Sequence, residues 1–222
     1  MICSTFEHIE LLEQGLHNEP QRLQRELQEA IDRVEADHPE AQVIVLGYGL
    51  CSRGTEGLYT RRCRLVAARA HDCITLLLGD KQRYAQYVKD NPGTYWYSPG
   101  WNRHGKPPGK ERYERIYKQY LEQYGQDNAD YLMQTEQHWF NTYNRATYVS
   151  LTVNGHDQDL AYTQSCADWL GWEFDHQQDD PSLLLTLLTG PWDQQRFVVL
   201  ERGQTYQITG DDRVIEISED TT

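Results

Sequence analysis

Residues 42–51, Gln42-Val43-Ile44-Val45-Leu46-Gly47-Tyr48-Gly49-Leu50-Cys51, decide the reading of the fold. The run 43–46 is short, apolar at every position and rich in β-branched residues. Such a run suits a strand buried on both faces, as in a parallel sheet between helices. Gly47, Tyr48 and Gly49 stop it, and the glycine-rich stretch continues to Gly57 as GYGLCSRGTEG. Upstream, Leu23, Leu27, Ala30, Ile31 and Val34 recur at helical spacing over 20–36. Pro20 suits the first turn of that helix, and His38-Pro39 ends it. Residues 5–16 read as a further helix.

The pattern repeats downstream. Residues 65–68 form a second short apolar strand, which runs into Arg69-Ala70-His71-Asp72-Cys73. Asp72 is placed to cap a helix over 74–78. Helices follow over 80–89, 111–124, 128–143, 158–170 and 181–188. Strands are expected at 94–97, 147–153, 172–175 and 197–200, with 206–208 and 214–217 as a terminal hairpin or edge pieces. Alternating strands and helices imply an α/β protein with a mostly parallel, Rossmann-like sheet and helices on both faces. The expectation is a single α/β domain over 1–222, with two loosely similar halves dividing near residue 105.

Composition narrows the function. The 222 residues carry 21 Lys+Arg against 34 Asp+Glu, a formal net charge of −13. Binding to nucleic acid or an anionic membrane needs clustered positive charge, so neither is an expected partner. No apolar run approaches the ~18–20 residues of a membrane span, and the first residues lack a secretory pattern. A soluble cytoplasmic protein acting on a small-molecule substrate is the expectation. The mean hydropathy of −0.79 is low, but 6 Trp, 15 Tyr and 4 Phe argue for a folded core that leans on aromatic packing.

In open α/β sheets ligands bind beyond the carboxyl ends of the strands. Cys51 follows the first strand and Cys73 the second, two residues after His71. Cys3 precedes the first helix. These four are the candidate metal ligands, because thiolate and imidazole suit zinc, and three thiolates suit an iron–sulfur cluster. The choice between zinc and iron–sulfur stays open. Gly47, Gly49 and Arg53 are candidates for holding a cofactor or an anion, and Arg69 and Asp72 for catalysis. A second reading needs no metal: a helix N-terminus and a nearby imidazolium would lower the Cys73 pKa and make it a nucleophile or one of a redox pair. Cys63 and Cys166 read as structural. Tyr113, Tyr117, Tyr120 and Tyr124 form a stripe at helical spacing, read as packing. His156 and Asp157 are weaker candidates at the same sheet edge.

The stretches GYGLCSRGTEGL (47–58), RAHDCITLLLGDKQRY (69–84) and TYWYSPGW (94–101) carry a resemblance. In order and spacing they resemble the uncharacterised family catalogued as domain of unknown function 1638, over most of the chain. The resemblance implies that Cys3, Cys51 and Cys73 are shared positions. It also implies an association with the corrinoid-dependent methyl-transfer systems of methanogens and other microbes, and so a protein partner in corrinoid-linked metabolism. The resulting expectation is a metal-dependent enzyme or enzyme accessory, with methyl or other group transfer as its reaction. The alternative is a metal- or cofactor-binding carrier or sensor.

Overall fold

The structure is a computed structural model that describes residues 8–51, 53–105, 107–150, 157–211 and 213–219. By its internal contacts the chain divides into two compact units. The first joins Met1–Lys81 to Asp180–Thr222, and the second is the continuous segment Gln82–Asp179 between them. Residue 105 lies within the second unit.

In the first unit, α1 (Pro20–Asp37) leads into β1 (Val43–Leu46), β2 (Arg64–Ala68) and α2 (Cys73–Leu78). Pro20 stands in the first turn of α1, where its missing N–H is not needed. Residues 8–13 are irregular and Leu16–Asn18 is a single 3₁₀ turn, so the helix read over 5–16 does not form among its described residues. Residues 1–7, and with them Cys3, lie outside the described residues.

The second unit contains α3 (Lys81–Asp90, begun at the boundary), β3 (Thr94–Tyr97), α4 (Pro99–His104), α5 (Lys110–Tyr124), α6 (Gln126–His138), β4 (Arg145–Val149), α7 (Asp157–Leu170) and β5 (Glu173–Gln177). The first unit resumes with α8 (Ser182–Thr189), β6 (Phe197–Leu200), β7 (Gln204–Ile208) and β8 (Ile215–Glu219).

The α/β class stands, but the sheets are small and mixed. One has the order β1-β2-β6, another β3-β4-β5, and β7-β8 is a separate pair. β1 and β2 are parallel, with Val43 opposite Arg64 and Leu46 opposite Ala67. β6 runs antiparallel to β2, with Leu65 opposite Leu200 and Ala68 opposite Phe197. β3, β4 and β5 are all parallel.

The two-residue period of a strand sorts the first sheet's side chains between two cores. Leu65, Ala67, Leu46, Val198 and Leu200 face Leu23, Leu27 and Ile31 of α1. Val66, Ala68 and Phe197 face Leu76 of α2 and Leu183 and Leu187 of α8. This is why 43–46 and 65–68 are apolar without alternation: both faces are covered. In the second unit one face of β3-β4-β5 buries Tyr97, Ala146 and Tyr148 against Cys166 and Ala167 of α7. Tyr87 of α3 meets Trp96 and donates to Asp175 (2.6 Å), tying α3 to the strands.

Charged side chains close the joints. Glu35, near the end of α1, accepts from the backbone N–H groups of Arg61 (2.9 Å), Arg62 (2.7 Å) and Cys63 (2.8 Å). Arg62 returns the favour, donating to the carbonyls of Glu35, His38, Pro39 and Ala41. The Glu35 carbonyl, in the last turn of the helix, would otherwise lack an intrahelical partner, because the residue four on is Pro39. Burial opposes ionisation of Glu35, but the N–H groups of Cys63, Arg61 and Arg62 together overcome it, and the carboxyl is held below its ordinary value of 4.5.

A folded pKa below the unfolded one stabilises the fold above the unfolded value and is lost as pH falls through the folded value. Glu35→Ala should therefore lower stability at pH 7 by about 2 kcal/mol, the scale of hydrogen bonds to a charged acceptor. The gap between wild type and variant, measured by urea unfolding, should shrink once the pH is taken below 4. A gap that stays constant from pH 7 to pH 3 would assign Glu35 no ionised role.

Candidate functional site

The loops after β1 and β2 meet. Leu50 N donates to Ala70 O at 2.9 Å. A Cβ on Gly49 would lie 2.5 Å from the Asp72 carbonyl carbon and 2.7 Å from its Cα. Only glycine allows that approach. Gly54 is similarly confined, with Leu23 Cδ2 at 2.6 Å from such a Cβ. Gly47 is different: it is exposed, with nothing within 4 Å of its Cβ position. The glycine stretch is thus two things, a close packing against the HDC segment and an open backbone beside it.

Cys51 turns in the left-handed region (φ 45°), as does Arg53 (φ 73°). Cys51 is half-buried and packs against the core under α1. Tyr48 and Tyr206 lie within electrostatic reach of its sulfur. Cys73 opens α2 and is exposed. Asp72 caps this helix: its Oδ1 accepts from Thr75 N (2.9 Å) and Thr75 Oγ1 (3.2 Å). That is the cap read from the sequence, and it places the Asp72 carboxylate between the two cysteines in electrostatic terms. His71 is exposed on the same loop.

The thiols are pushed toward the neutral form. Burial and then the Asp72 charge raise Cys51 to about 11, against the Gly49 backbone. Burial, Asp72 and Cys51 raise Cys73 to about 12, although the Cys73 and Ile74 N–H groups pull the other way. Cys73 is an exposed residue, so water at the sulfur tempers this rise; its direction is what the chemistry follows. The expected activation of Cys73 by the helix N-terminus is therefore corrected. The N–H groups do act as expected, but crowding and the adjacent carboxylate outweigh them.

The metal-centre expectation is also overturned. Among the described residues no three His, Cys, Asp or Glu side chains come together as a group that could hold a metal ion. Cys51 faces the core, Asp72 is engaged with Thr75, and Cys3 lies outside the described residues. Neither zinc nor iron–sulfur ligation by Cys51, Cys73 and His71 has a geometric basis here. Cys63 is buried at the other end of β2, with Sγ 3.2 Å from Ala41 O. Cys166 is buried beside Tyr97 and Ala146.

The two arginines are occupied. Arg53 is exposed and bidentate to Glu56 (2.7 and 2.9 Å). Glu56 also accepts from Ile208 N at 3.1 Å, and Gly57 N donates to Tyr206 O at 3.0 Å, so this end of the loop is tied to β7. Arg69 donates to the carbonyls of Gln194 (2.8 Å), Phe197 (3.1 Å), Arg213 (2.9 Å) and Ile215. Its guanidinium fastens the end of β2 to β6 and β8. Tyr48 and Tyr206 are neighbours of Cys51 that the sequence pattern does not single out. Tyr206 lies so far along the chain that no local pattern points to it. Of the weaker candidates, His156 lies outside the described residues and Asp157 begins α7.

Gly49→Ala should destabilise the protein by about 1–3 kcal/mol or more, the cost of forcing atoms into a filled space. Gly47→Ala should be near neutral. Urea midpoints for the two variants check this, and equal midpoints would mean that the loops do not pack as described.

Comparison with known proteins adds a family and no function. No curated protein and no solved structure matches the chain. The sequence pattern of one family matches residues 11–188, described as a protein of unknown function (DUF1638). The matched span contains both site loops and both units' parallel strands, and the chain belongs to the DUF1638 family.

Proposed function

We propose that the protein binds a small molecule on the platform formed by the loops after β1 and β2. Gly47 supplies open backbone, Gly49 and Leu50 hold the two loops together beneath it, and Cys73 supplies an exposed, polarisable group. The observation that carries this reading is the glycine-only contact of Gly49 with Asp72, which joins two loops at the carboxyl ends of neighbouring parallel strands. Ligands of open α/β sheets sit beyond such ends. The finer fold reading, a Rossmann-like arrangement, is supported by the helices on both faces of β1-β2-β6.

At neutral pH the thiol is protonated. It donates a weak hydrogen bond and offers a soft contact surface, and is not a standing nucleophile. Arg53 and Arg69 are committed to Glu56 and to backbone, which favours a ligand held by backbone groups over one held by ion pairs. The net charge of −13 supports a small molecule over nucleic acid or membrane as partner. No helix among the described residues is long and apolar enough to cross a membrane. We place the protein in the cytoplasm, where the free thiols of Cys51, Cys63, Cys73 and Cys166 persist.

Iodoacetamide alkylation, read peptide by peptide in a mass spectrometer, tests the site. At pH 8 Cys73 should react at least several-fold more slowly than in the urea-unfolded chain, since fewer thiolates form, a loss that the greater nucleophilicity of each offsets only in part. The rate should climb without a plateau up to pH 10. A dialysable small-molecule fraction from cells should slow it further at Cys73. Reaction at pH 7 faster than in the unfolded chain, or no protection by that fraction, would overturn the reading.

A further inference from the structure

A second group of polar side chains lies wholly within the unit Gln82–Asp179. It sits at the carboxyl edge of the parallel sheet β3-β4-β5. Beyond β4 the ladder continues for one residue, with Ser150 N donating to Gln177 O at 3.1 Å. Tyr148 and Ser150 are two apart on an extended stretch, so they share a face, the one covered by α7. Tyr148 is fully buried and Ser150 is 5% exposed. Neither hydroxyl has a hydrogen-bond partner among the described residues.

Asn102 of α4, bonded to the same α7 that covers that face, carries a third such atom. Its Nδ2 donates to Asp159 O (3.0 Å) and Thr163 Oγ1 (2.9 Å). A backbone carbonyl can only accept, which fixes the orientation of the amide. Oδ1 is then a buried acceptor with no donor among the described residues. Next to it, Arg103 pairs with Asp159, whose side chain is nearly buried while that of Arg103 is more than half exposed. The Tyr148 hydroxyl lies within electrostatic reach of both charges.

Buried polar groups in folded proteins are nearly always hydrogen-bonded, and a cluster of exceptions calls for a cause. We propose that Asn102, Tyr148 and Ser150, with Arg103 and Asp159 as their outer wall, bind a small neutral polyhydroxyl compound of the sugar or polyol class. The chemistry selects the class. Asn102 Oδ1 needs a donor, and the two hydroxyls each give one hydrogen bond and accept others. A polyol meets all three. Arg103 and Asp159 neutralise each other, so a charged ligand would find no counter-ion. The polar atoms are closed off from solvent, so a ligand enters only when neighbouring side chains move.

Thermal melts of wild type, Tyr148→Phe and Ser150→Ala test this, each alone and with millimolar D-ribose, D-glucose or myo-inositol. Without additive, both variants should melt higher than wild type by roughly 2–4 °C, because an unpartnered hydroxyl has been removed. Wild type should show a saturable rise in Tm with at least one of the three compounds, and both variants should lose it. Variants that melt lower than wild type would mean that the hydroxyls have partners within the protein, and would overturn the proposal. So would an identical response of all three proteins to every compound.

Discussion

The approach of Gly49 to the backbone of Asp72 is the constraint on which the first unit's site depends. A Cβ there would stand 2.5 Å from the Asp72 carbonyl carbon. With no side chain in the way, the loop after β1 can lie on the loop after β2, and Leu50 can donate to Ala70. Asp72 is fixed from the other side by its cap on α2. The electrostatics follow from that placement. Burial, and then one carboxylate near two thiols, push both toward the protonated form. A metal site would need at least three ligating side chains together, and none are grouped so among the described residues.

Elsewhere three ionised side chains serve the backbone. Glu35 collects three N–H groups before β2, Arg62 collects the carbonyls at the end of α1, and Arg69 collects those of β6 and β8. Each stands where a helix or strand ends and its polar groups would otherwise face a joint without partners. A charge-assisted hydrogen bond is stronger than a neutral one, which suits these residues to holding loops in register. The same role explains why Arg69, a candidate catalytic group by type and position, is engaged within the protein; Arg53 is held instead by Glu56.

Much of the first sheet was legible because its physics is local. An apolar run flanked by glycine gives β1, the 65–68 run gives β2, and Asp72 three residues before Thr75 gives the cap. The loops had to share an edge because β1 and β2 are parallel. The direction of β6 was not legible. Phe197-Val198-Val199-Leu200 is buried on both faces and reads alike in either sense. The separation into small sheets is a matter of long-range pairing, which leaves no periodic trace. Arg69 could not be read as a fastener, since its acceptors lie 125 to 146 residues away. The sulfurs were the hardest to place. Spacing puts Cys51 near Cys73, and the two thiols do act on each other, but the left-handed turn at Cys51 also lays it against the core under α1, and no spacing rule contains that φ. The orphaned hydroxyls of Tyr148 and Ser150 carried no signal at all, because TYVS reads as an ordinary strand end.

The joined loops are the central claim, and hydrogen exchange at one amide tests it most directly. Leu50 N–H sits in a glycine-rich stretch that would exchange quickly if the loop were free. Bonded to Ala70 O and buried, it should be protected to the same degree as the amides of β2, since opening it requires the two loops to part. Exchange of Leu50 at the rate of an unstructured loop, with β2 still protected, would show that the platform does not exist.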